Sequence, residues 1–343
     1  MTSARTRRHP ARPPLTGRGP LAALAASTAA LLLLAGCGSS GSDGGSGKGS
    51  GTGGASGGTQ AAPAKPGDSG AVPAQDVVSA IATDPTLAAE LPAQTRQSGK
   101  LTLGTTRAPG TTGLPHVGEV DGKPVGLDVD LRNAVAKVLG VEWDIQYGTF
   151  PTVIPGVQNG RYDVGQDNFG VTRAREQVVD FATYLNDGQA FLGSKDSDLK
   201  AVSQITDVCG LTVATGSGST FQQILDSNKD KCAAAGKKPY TVQYVTDQAA
   251  SLLGLRNGRV DVVFGPTLGI RYEAAHIPGT RFLGEVSSTT VGFVTARNSP
   301  VAKALSDAVN KLIASGDYAR IFAKWGLTGS GIPRSQVNPA ATL

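Results

Sequence analysis

The chain contains 343 residues, 39% of them hydrophobic, which is enough for two ordinary lobes with separate cores. Its formal net charge of +5 could indicate a nucleic-acid-binding protein. However, five of the 32 lysines and arginines lie in the first 36 residues, and without them 27 basic residues face 27 acidic ones. Charge therefore gives no support for nucleic acid as a partner.

The chain begins with five arginines within residues 5–18 and continues with an uncharged apolar run over residues 21–35. This order is typical of a secretory signal, and the run of about 15 residues is shorter than the roughly 20 needed to span a bilayer. It ends in Leu34-Ala35-Gly36-Cys37, which resembles a bacterial lipobox. The resemblance implies that residues 1–36 are cleaved and that a lipid on Cys37 anchors the protein at the extracellular face of the cell membrane.

Residues 37–70 are mostly Gly, Ser, Thr, Ala and Pro, a composition that cannot bury enough apolar surface to fold. We expect a tether, and a coil of this length has a root-mean-square reach on the order of 30 Å. In residues 71–97 a helical pattern of apolar positions starts over 77–81, and Pro85 and Pro92 interrupt it. This pattern predicts a helical preface packed on the first lobe.

From Lys100 onward, strand and helix signals alternate, which is typical of a parallel α/β architecture. Strands are predicted at 101–105, 141–146, around 164, 211–214, 242–245 and 260–264. Helices are predicted over 131–139 before Gly140, from about 248 to Asn257-Gly258, from Ser299-Pro300 to Gly316, and over 321–325.

Two cysteines remain once Cys37 is assigned to a lipid. Cys209 and Cys232 lie in no spacing motif, but an oxidising exterior favours a bridge between them over two free thiols. The bridge would close a loop of about 24 residues and stabilise the fold by roughly 3 kcal/mol through loop-closure entropy.

Seven short segments in family order resemble the bacterial extracellular solute-binding proteins of family 3, which serve polar amino-acid ABC importers. They are Gly126-Leu-Asp-Val-Asp-Leu131, Phe150-Pro-Thr-Val-Ile-Pro155, Asn159-Gly-Arg-Tyr-Asp163, Thr172-Arg-Ala-Arg175 with Val179-Asp-Phe181, Gly210-Leu-Thr-Val213 with Gly216-Ser-Gly218, Asn257-Gly-Arg-Val-Asp261, and Gly316-Asp-Tyr318 through Lys324-Trp325. Together they extend over about residues 100–327.

The resemblance implies an α/β fold of the type II periplasmic-binding-protein kind, with two lobes joined by two crossing strands that close on a ligand. It places lobe one at 98–187 plus 290–328 and lobe two at 188–289, followed by a C-terminal tail at 329–343. Turn-forming residues at 186–188 and a polar strand at 287–290 agree with the two crossings. The implied function is capture of an amino-acid-like ligand by a monomer and delivery to an ABC permease, without cofactor or metal.

The family assigns the ligand α-carboxylate to the arginine of its T-x-x-R segment, which here is Arg175. A planar guanidinium can bond both carboxylate oxygens, although a plain surface arginine beside Arg173 is the alternative. In lobe two, Gly218 and Ser219 lie in a Gly-rich turn before a helix that we expect to open at Thr220 or Phe221, and its backbone amides favour an anion. A plain strand-to-helix turn remains possible there.

Three further positions match places where the family reads the ligand. Phe150 corresponds to an aromatic ring that packs on the ligand, unless it belongs to the core. Thr106 and Arg107, at the end of the first strand, correspond to residues that read the ligand side chain. Arg107 would suit an acidic ligand group, and an exposed loop arginine is the alternative.

Two departures from the family pattern bear on the ligand. Pro266 occupies the position where the family usually has an acidic residue that pairs with the ligand ammonium. Asp167, Asn168 and Gly170 occupy a segment that usually carries small and hydroxyl residues before the T-x-x-R arginine. We hypothesise that Asp167 replaces the missing carboxylate. The alternatives are that Asp167 caps a turn with Asn168, or that the ligand has no α-amine.

Two rival functions use the same fold. A cleft enzyme such as a dehydratase would need acid–base carboxylates, for which Asp167 and Glu119 are candidates. Nucleophilic triads and zinc sites are poorly supported, because only His116 and His276 remain after processing and no G-x-S-x-G string occurs. A sensor that presents its ligand to a membrane receptor is the other rival, and no sequence feature separates it from an import receptor.

Overall fold

A computed structural model describes residues 72–343. The predicted signal segment, the lipidation site at Cys37 and the tether lie outside the described residues. In the part that is described, no helix has the length and apolar character that crossing a membrane requires.

Strands and helices alternate through most of this region. The strands are β1 (Lys100–Thr106), β2 (Gly118–Val120), β3 (Lys123–Val125), β4 (Glu142–Gly148), β5 (Val164–Gly170), β6 (Val179–Ser194), β7 (Thr212–Gly216), β8 (Thr241–Val245), β9 (Val262–Pro266) and β10 (Thr280–Ala296). The helices are α1 (Pro85–Ala88), α2 (Ala93–Ser98), α3 (Leu127–Leu139), α4 (Phe150–Gln158), α5 (Arg173–Glu176), α6 (Thr220–Asn228), α7 (Lys231–Ala234), α8 (Gln248–Arg256), α9 (Thr267–His276), α10 (Pro300–Ser315) and α11 (Asp317–Lys324).

One eight-stranded mixed sheet organises the molecule, with strand order β4-β1-β5-β10-β6-β9-β7-β8. The outer strands are parallel within each half, whereas β6 and β10 form a long antiparallel pair that passes through both halves. We call the half with β4, β1 and β5 lobe one and the half with β9, β7 and β8 lobe two. This arrangement confirms the predicted α/β class with two crossing strands, while the residue boundaries of the lobes remain a prediction.

Each lobe has its own apolar clusters on the two faces of the sheet. In lobe one, α3, α10 and α11 cover one face around Leu131 and Leu305, and α4 covers the other around Val153. In lobe two, Leu225 of α6 and Ile270 of α9 lie in separate clusters. Burying one apolar face of each helix against the shared sheet is the main stabilising contribution of such layers.

The predicted helix boundaries follow local chemistry closely in lobe one. Gly140 adopts a φ of 64° and ends α3, and Gly316 adopts a φ of 82° and ends α10. The Ser299 side chain accepts a hydrogen bond from the Val301 amide, so that it caps α10 while Pro300 fills its first position. These residues suit their places because glycine tolerates left-handed backbone and proline needs no hydrogen bond in a first turn.

Two local predictions are wrong. The apolar positions at 77–81 are not helical, since only a bend and a turn occur there, over 78–80. Pro85 and Pro92 lie at the starts of α1 and α2 instead of interrupting a helix. The turn expected at 186–188 is absent from the described backbone, since β6 runs straight through it. Pairing of Asn186 with Thr290 and of Gly188 with Ser288 keeps these residues extended.

The predicted disulfide between Cys209 and Cys232 is confirmed, with the two Cα atoms 5.6 Å apart. Cys232 is buried in the apolar cluster of lobe two. The bridge links the chain just before β7 to α7, and therefore encloses β7, α6 and the Gly-rich turn between them.

Candidate functional site

The carboxyl ends of β5 in lobe one and β7 in lobe two meet where two short segments carry the predicted anion-binding groups. Arg175 lies in α5, whose cap Thr172 accepts a hydrogen bond from the Arg175 amide at 3.2 Å. The Arg175 guanidinium donates from Nη1 to the Gly170 carbonyl at 2.9 Å and from Nη2 to the Gly218 carbonyl at 3.2 Å. Arg175 therefore contacts both lobes.

Two phenylalanine rings hold the Arg175 side chain in place. Phe150 and Phe169 pack with their centroids 4.9 Å apart, and the guanidinium carbon lies 5.7 Å and 5.5 Å from those centroids. Burial lowers the pKa of Arg175 to about 10, which leaves it charged at neutral pH. Within 72–343 no carboxylate lies within ion-pair distance of it. A largely desolvated cation without a counter-ion is suited to receive an anion.

The Gly-rich turn of lobe two approaches lobe one closely. Gly218 adopts a φ of 73°, and its amide donates to Gln222 Oε1 at 2.8 Å. Ser219 caps α6, because its hydroxyl accepts from the Gln222 amide at 3.1 Å. A Cβ on Gly218 would lie 3.3 Å from Pro151, and one on Gly170 would lie 3.3 Å from a Thr220 methyl. The turn thus lies against the other lobe, and an anion-binding role for it stays a prediction.

A second group of predicted site residues lies around Asp167. Thr106 donates to Asp167 Oδ1 at 2.9 Å, whereas Asp167 Oδ2 is shielded from solvent and has no hydrogen-bond partner among the described residues. Burial raises the pKa of Asp167 to about 7, although the Thr106 hydrogen bond opposes the shift. An acceptor with free capacity in a low-dielectric site favours a cationic or hydrogen-bond-donating group nearby.

His116 lies between two carboxylates, those of Asp128 and Asp187, and the sequence did not predict this charge cluster. His116 Nε2 is 3.0 Å from Asp187 Oδ2, and His116 Nδ1 is 3.6 Å from Asp128 Oδ2. Burial opposes the imidazolium, but the two carboxylates outweigh it and raise the pKa of His116 to about 10. Asp187 Oδ2 also accepts from Asn168 Nδ2 at 3.0 Å, and Asp187 Oδ1 accepts from the Leu268 amide at 3.1 Å.

Asp187 thereby connects lobe one, a crossing strand and the start of α9 in lobe two. Pro266 lies near Asp187, because Pro266 ends β9 and pairs with Gln189, two residues after Asp187. A carboxylate thus lies close to the place where the family's acidic residue is missing. Its two oxygens already accept from His116, Asn168 and backbone amides, so it is engaged in holding the structure together.

Arg107 is separate from both groups. It is paired with Glu119 through two hydrogen bonds of 2.8 Å and 2.9 Å, and its side chain is 60% exposed. The guanidinium fork is therefore occupied by a carboxylate of the same lobe, and Glu119 is occupied in turn. A ligand-reading role for Arg107 stays a prediction, as does an acid–base role for Glu119.

Known proteins with a similar sequence or a similar fold can be compared with this chain. The sequence matches the bacterial extracellular solute-binding proteins, family 3, over residues 114–328. An arginine-binding protein of Corynebacterium glutamicum is 30% identical over 224 residues, which cover 64% of this chain and 72% of that protein. A glutamine-binding ABC transporter protein of Bacillus subtilis is 28% identical over 221 residues, covering 62% and 74%. The structure of an ancestral arginine-binding protein bound to arginine has a TM-score of 0.58 at 28% identity, covering 66% of this chain and 98% of that one.

Proposed function

The chain belongs to the bacterial extracellular solute-binding proteins of family 3, and on that premise we propose that it captures an amino acid by closure of its two lobes and delivers it to an ABC permease. The observation that carries this proposal is Arg175. Its side chain is partly buried, lacks a carboxylate partner among the described residues and contacts the backbone of both lobes. An α-carboxylate between the lobes would neutralise the positive charge of Arg175 and favour the closed form.

The charge around Asp167 supports a ligand with a positive group, either an α-ammonium or a cationic side chain. Thr106 orients one oxygen of Asp167, and the other oxygen is free to accept. Two relatives are named for binding arginine and glutamine. Both of these amino acids carry an α-ammonium, and arginine also has a cationic side chain. We therefore place L-arginine first and L-glutamine second among the ligands to test.

The proposal is tested by native mass spectrometry of the protein as purified and by calorimetry with L-arginine, L-lysine, L-glutamine, L-histidine and L-cystine. We expect Arg175→Lys to weaken the binding of whichever amino acid binds by at least about tenfold. The reason is that one of two charge-assisted hydrogen bonds is lost, and about 1.4 kcal/mol corresponds to one decade of affinity.

The matched control is Arg161→Lys, since Arg161 is an exposed lobe-one arginine that also lies over an aromatic ring, at 5.1 Å from the Tyr162 centroid. It should bind as the unmodified protein does. Equal affinity of Arg175→Lys and the unmodified protein would remove Arg175 from the site. Failure of every amino acid tested to bind would contradict the proposed ligand class.

We also propose that the receptor is a monomer held at the outer membrane face by a lipid on Cys37, through the tether at 37–70. The sequence Leu34-Ala35-Gly36-Cys37 and the extracellular character of the family support the anchor. Lipid labelling of the Cys37→Ala precursor is the direct measurement, and label on that variant would contradict the anchor.

Two alternatives follow from the same site. A dehydratase-like enzyme would use Asp167 as an acid or base, which its raised pKa would permit. We propose instead that the ligand leaves unchanged, and mass spectrometry of ligand incubated with the protein separates the two functions. A sensor would bind the same ligands, and the presence of permease and ATPase genes beside this gene would favour import.

A further inference from the structure

The segment 335–343, which we call the strap, lies beyond the family match at 114–328 and packs along lobe one. Its first part covers the edge of β6 that has no neighbouring strand in this lobe. The Thr183 amide donates to the Gln336 carbonyl at 3.0 Å, and the Gln336 amide donates to Thr183 Oγ1 at 2.8 Å. Val337 forms a bridge with Ala182. The strap is therefore held against lobe one by its pairing with β6.

Asn338 fixes the strap at the point where its direction changes. Its Oδ1 accepts from the Phe181 amide at 2.7 Å, and its Nδ2 donates to Asp180 Oδ1 at 2.9 Å. The backbone of Asn338 adopts a φ of 46°, in the left-handed region that asparagine tolerates better than most residues. Beyond this point the strap runs toward α5 and the Arg175 site.

The last three residues of the strap lie next to the supports of Arg175, directly or through one intervening side chain. Ala341 packs against the apolar cluster that contains Phe150 and Phe169, the two rings beside the guanidinium. The Leu343 carbonyl accepts from the Arg173 amide at 3.0 Å, at the first position of α5.

The third support is the Gly170 carbonyl, which accepts from Arg175. Thr342 Oγ1 lies 3.3 Å from Thr289 Oγ1, and Thr289 donates to the Val171 carbonyl at 3.2 Å. A Thr289 methyl also lies over Gly170, at 2.8 Å from the position that a Cβ would take. Thr289 thus transmits the position of the strap to the end of β5.

We propose that the strap is a positioning element that holds the Arg175 guanidinium ready for a ligand carboxylate. α5 has only four residues, too few for a helix that is stable alone, so its orientation depends on such contacts. The strap satisfies one of its free amides, supports the aromatic rings and restrains Gly170 through Thr289. This inference rests on the proposed function for its binding readout and has a second readout that is independent of ligand.

The test is a chain that ends after Pro339, which keeps Gln336, Val337 and the Asn338 anchor. Calorimetry with L-arginine, or with the amino acid of the panel that binds most tightly, should give at least about tenfold weaker binding than the full chain. The same truncation in the Arg175→Lys background should cost less than about threefold, because the strap acts through the guanidinium. An equal loss in both backgrounds would overturn the proposal, as would no loss in either.

The second readout is amide hydrogen exchange of the ligand-free protein. Truncation should speed exchange in the peptide covering 170–176 and leave β7 of lobe two unchanged. Unchanged exchange at 170–176, or equal acceleration in both lobes, would overturn the strap proposal. If no amino acid binds the full chain, the proposed function fails, whereas the exchange experiment still decides whether the strap orders α5.

Discussion

At the scale of single residues, the site divides into an anion-binding side around Arg175 and an acidic side around Asp167. The two differ in how burial acts on them. Arg175 keeps its charge despite desolvation, because its pKa of about 10 stays well above neutral. The pKa of Asp167, about 7, means that this side chain changes its charge within the physiological range. Ligand binding should therefore depend on pH through Asp167 and not through Arg175.

We predict that the affinity for L-arginine rises with pH between 5 and 8. Below pH 7 Asp167 is largely protonated in the free protein, and a cationic ligand group favours its ionised form, so that affinity approaches a tenfold gain per pH unit. The Asp167→Asn variant should bind more weakly at pH 8 and show no such slope. Calorimetry at pH 5, 6, 7 and 8 measures both effects. A wild-type affinity that is flat across this range would contradict the role of Asp167.

The same substitution should stabilise the ligand-free protein at neutral pH. The folded-state pKa of Asp167 is raised above its unfolded value, so ionising it in the fold carries a cost. That cost is absent at pH 4, grows as the pH rises toward 7 and is constant above. Asp167→Asn should accordingly raise the thermal midpoint at pH 8 and leave it nearly unchanged at pH 4. Loss of affinity together with gain of stability is typical of a functional group.

At the scale of elements, sequence patterns predict those segments whose boundaries are set locally. α3 and α10 were predicted because apolar spacing, Gly140, Ser299-Pro300 and Gly316 all act within a few residues. α4 was not predicted as a helix, since Pro151 and Pro155 lie inside it and obscure its pattern. The extended backbone at 186–188 was missed because pairing with β10 overrides the turn preference of Asn-Asp-Gly.

The link around Asp187 could not be predicted for a similar reason. Its partners His116 and Leu268 are 71 and 81 residues away in sequence, and a local sequence pattern cannot predict a contact over such a separation. Arg175, Phe150 and Gly218 could be predicted because each lies in one of the segments that resemble the family. Asp167 was singled out because it departs from the usual composition of the segment before Arg175.

The disulfide is the covalent constraint on the element that presents Gly218 and Ser219. It joins residues 23 apart in sequence and closes a loop around β7 and α6. We predict that the Cys209→Ser, Cys232→Ser double variant is destabilised by roughly 3 kcal/mol, because its unfolded chain regains the loop entropy. For a protein of this size that is a fall of about 6–12 °C in thermal midpoint.

Calorimetric melting with and without reductant provides the control for this change. Reductant should lower the midpoint of the unmodified protein to that of the double variant and leave the double variant unaffected. The fold itself should persist, since most of the cluster that holds Cys232 consists of apolar side chains such as Leu225 and Phe264, whose burial does not require the bridge. Equal melting of the oxidised protein and the double variant would show that the bridge contributes nothing.

At the scale of the whole molecule, the two lobes meet through contacts that differ in kind. In one set, Gly218 and Gly170 let the two lobes approach closely, and Arg175 of lobe one donates to the Gly218 carbonyl of lobe two. In the other set, Asp187 links Asn168 and His116 of lobe one to the start of α9 in lobe two. The first set includes the proposed ligand site, whereas the second is internal to the protein. Closure should therefore be biased by Asp187 even before a ligand binds.

We predict that Asp187→Asn shifts the ligand-free protein toward a more open form and weakens ligand binding. The amide side chain introduced at position 187 would have one oxygen that accepts and one NH2 group that donates. Because His116, Asn168 and the Leu268 amide all donate to Asp187, the NH2 group would face at least one donor. The substitution also removes one of the two carboxylates beside the His116 imidazolium, and breaking a buried charge pair typically costs about 3–5 kcal/mol. It should also lower the pKa of His116, because Asp187 is one of the two carboxylates that raise it to about 10 in the unmodified protein.

Small-angle X-ray scattering of the ligand-free and ligand-saturated protein measures this effect. The radius of gyration of ligand-free Asp187→Asn should exceed that of the unmodified protein, and saturating ligand should bring the two together, because ligand contacts favour the closed form in both. The control is Asp196→Asn, which alters an exposed carboxylate just beyond the end of β6. An unchanged radius with unchanged affinity would show that Asp187 supports local structure only, and that closure depends on the Arg175 side of the cleft alone.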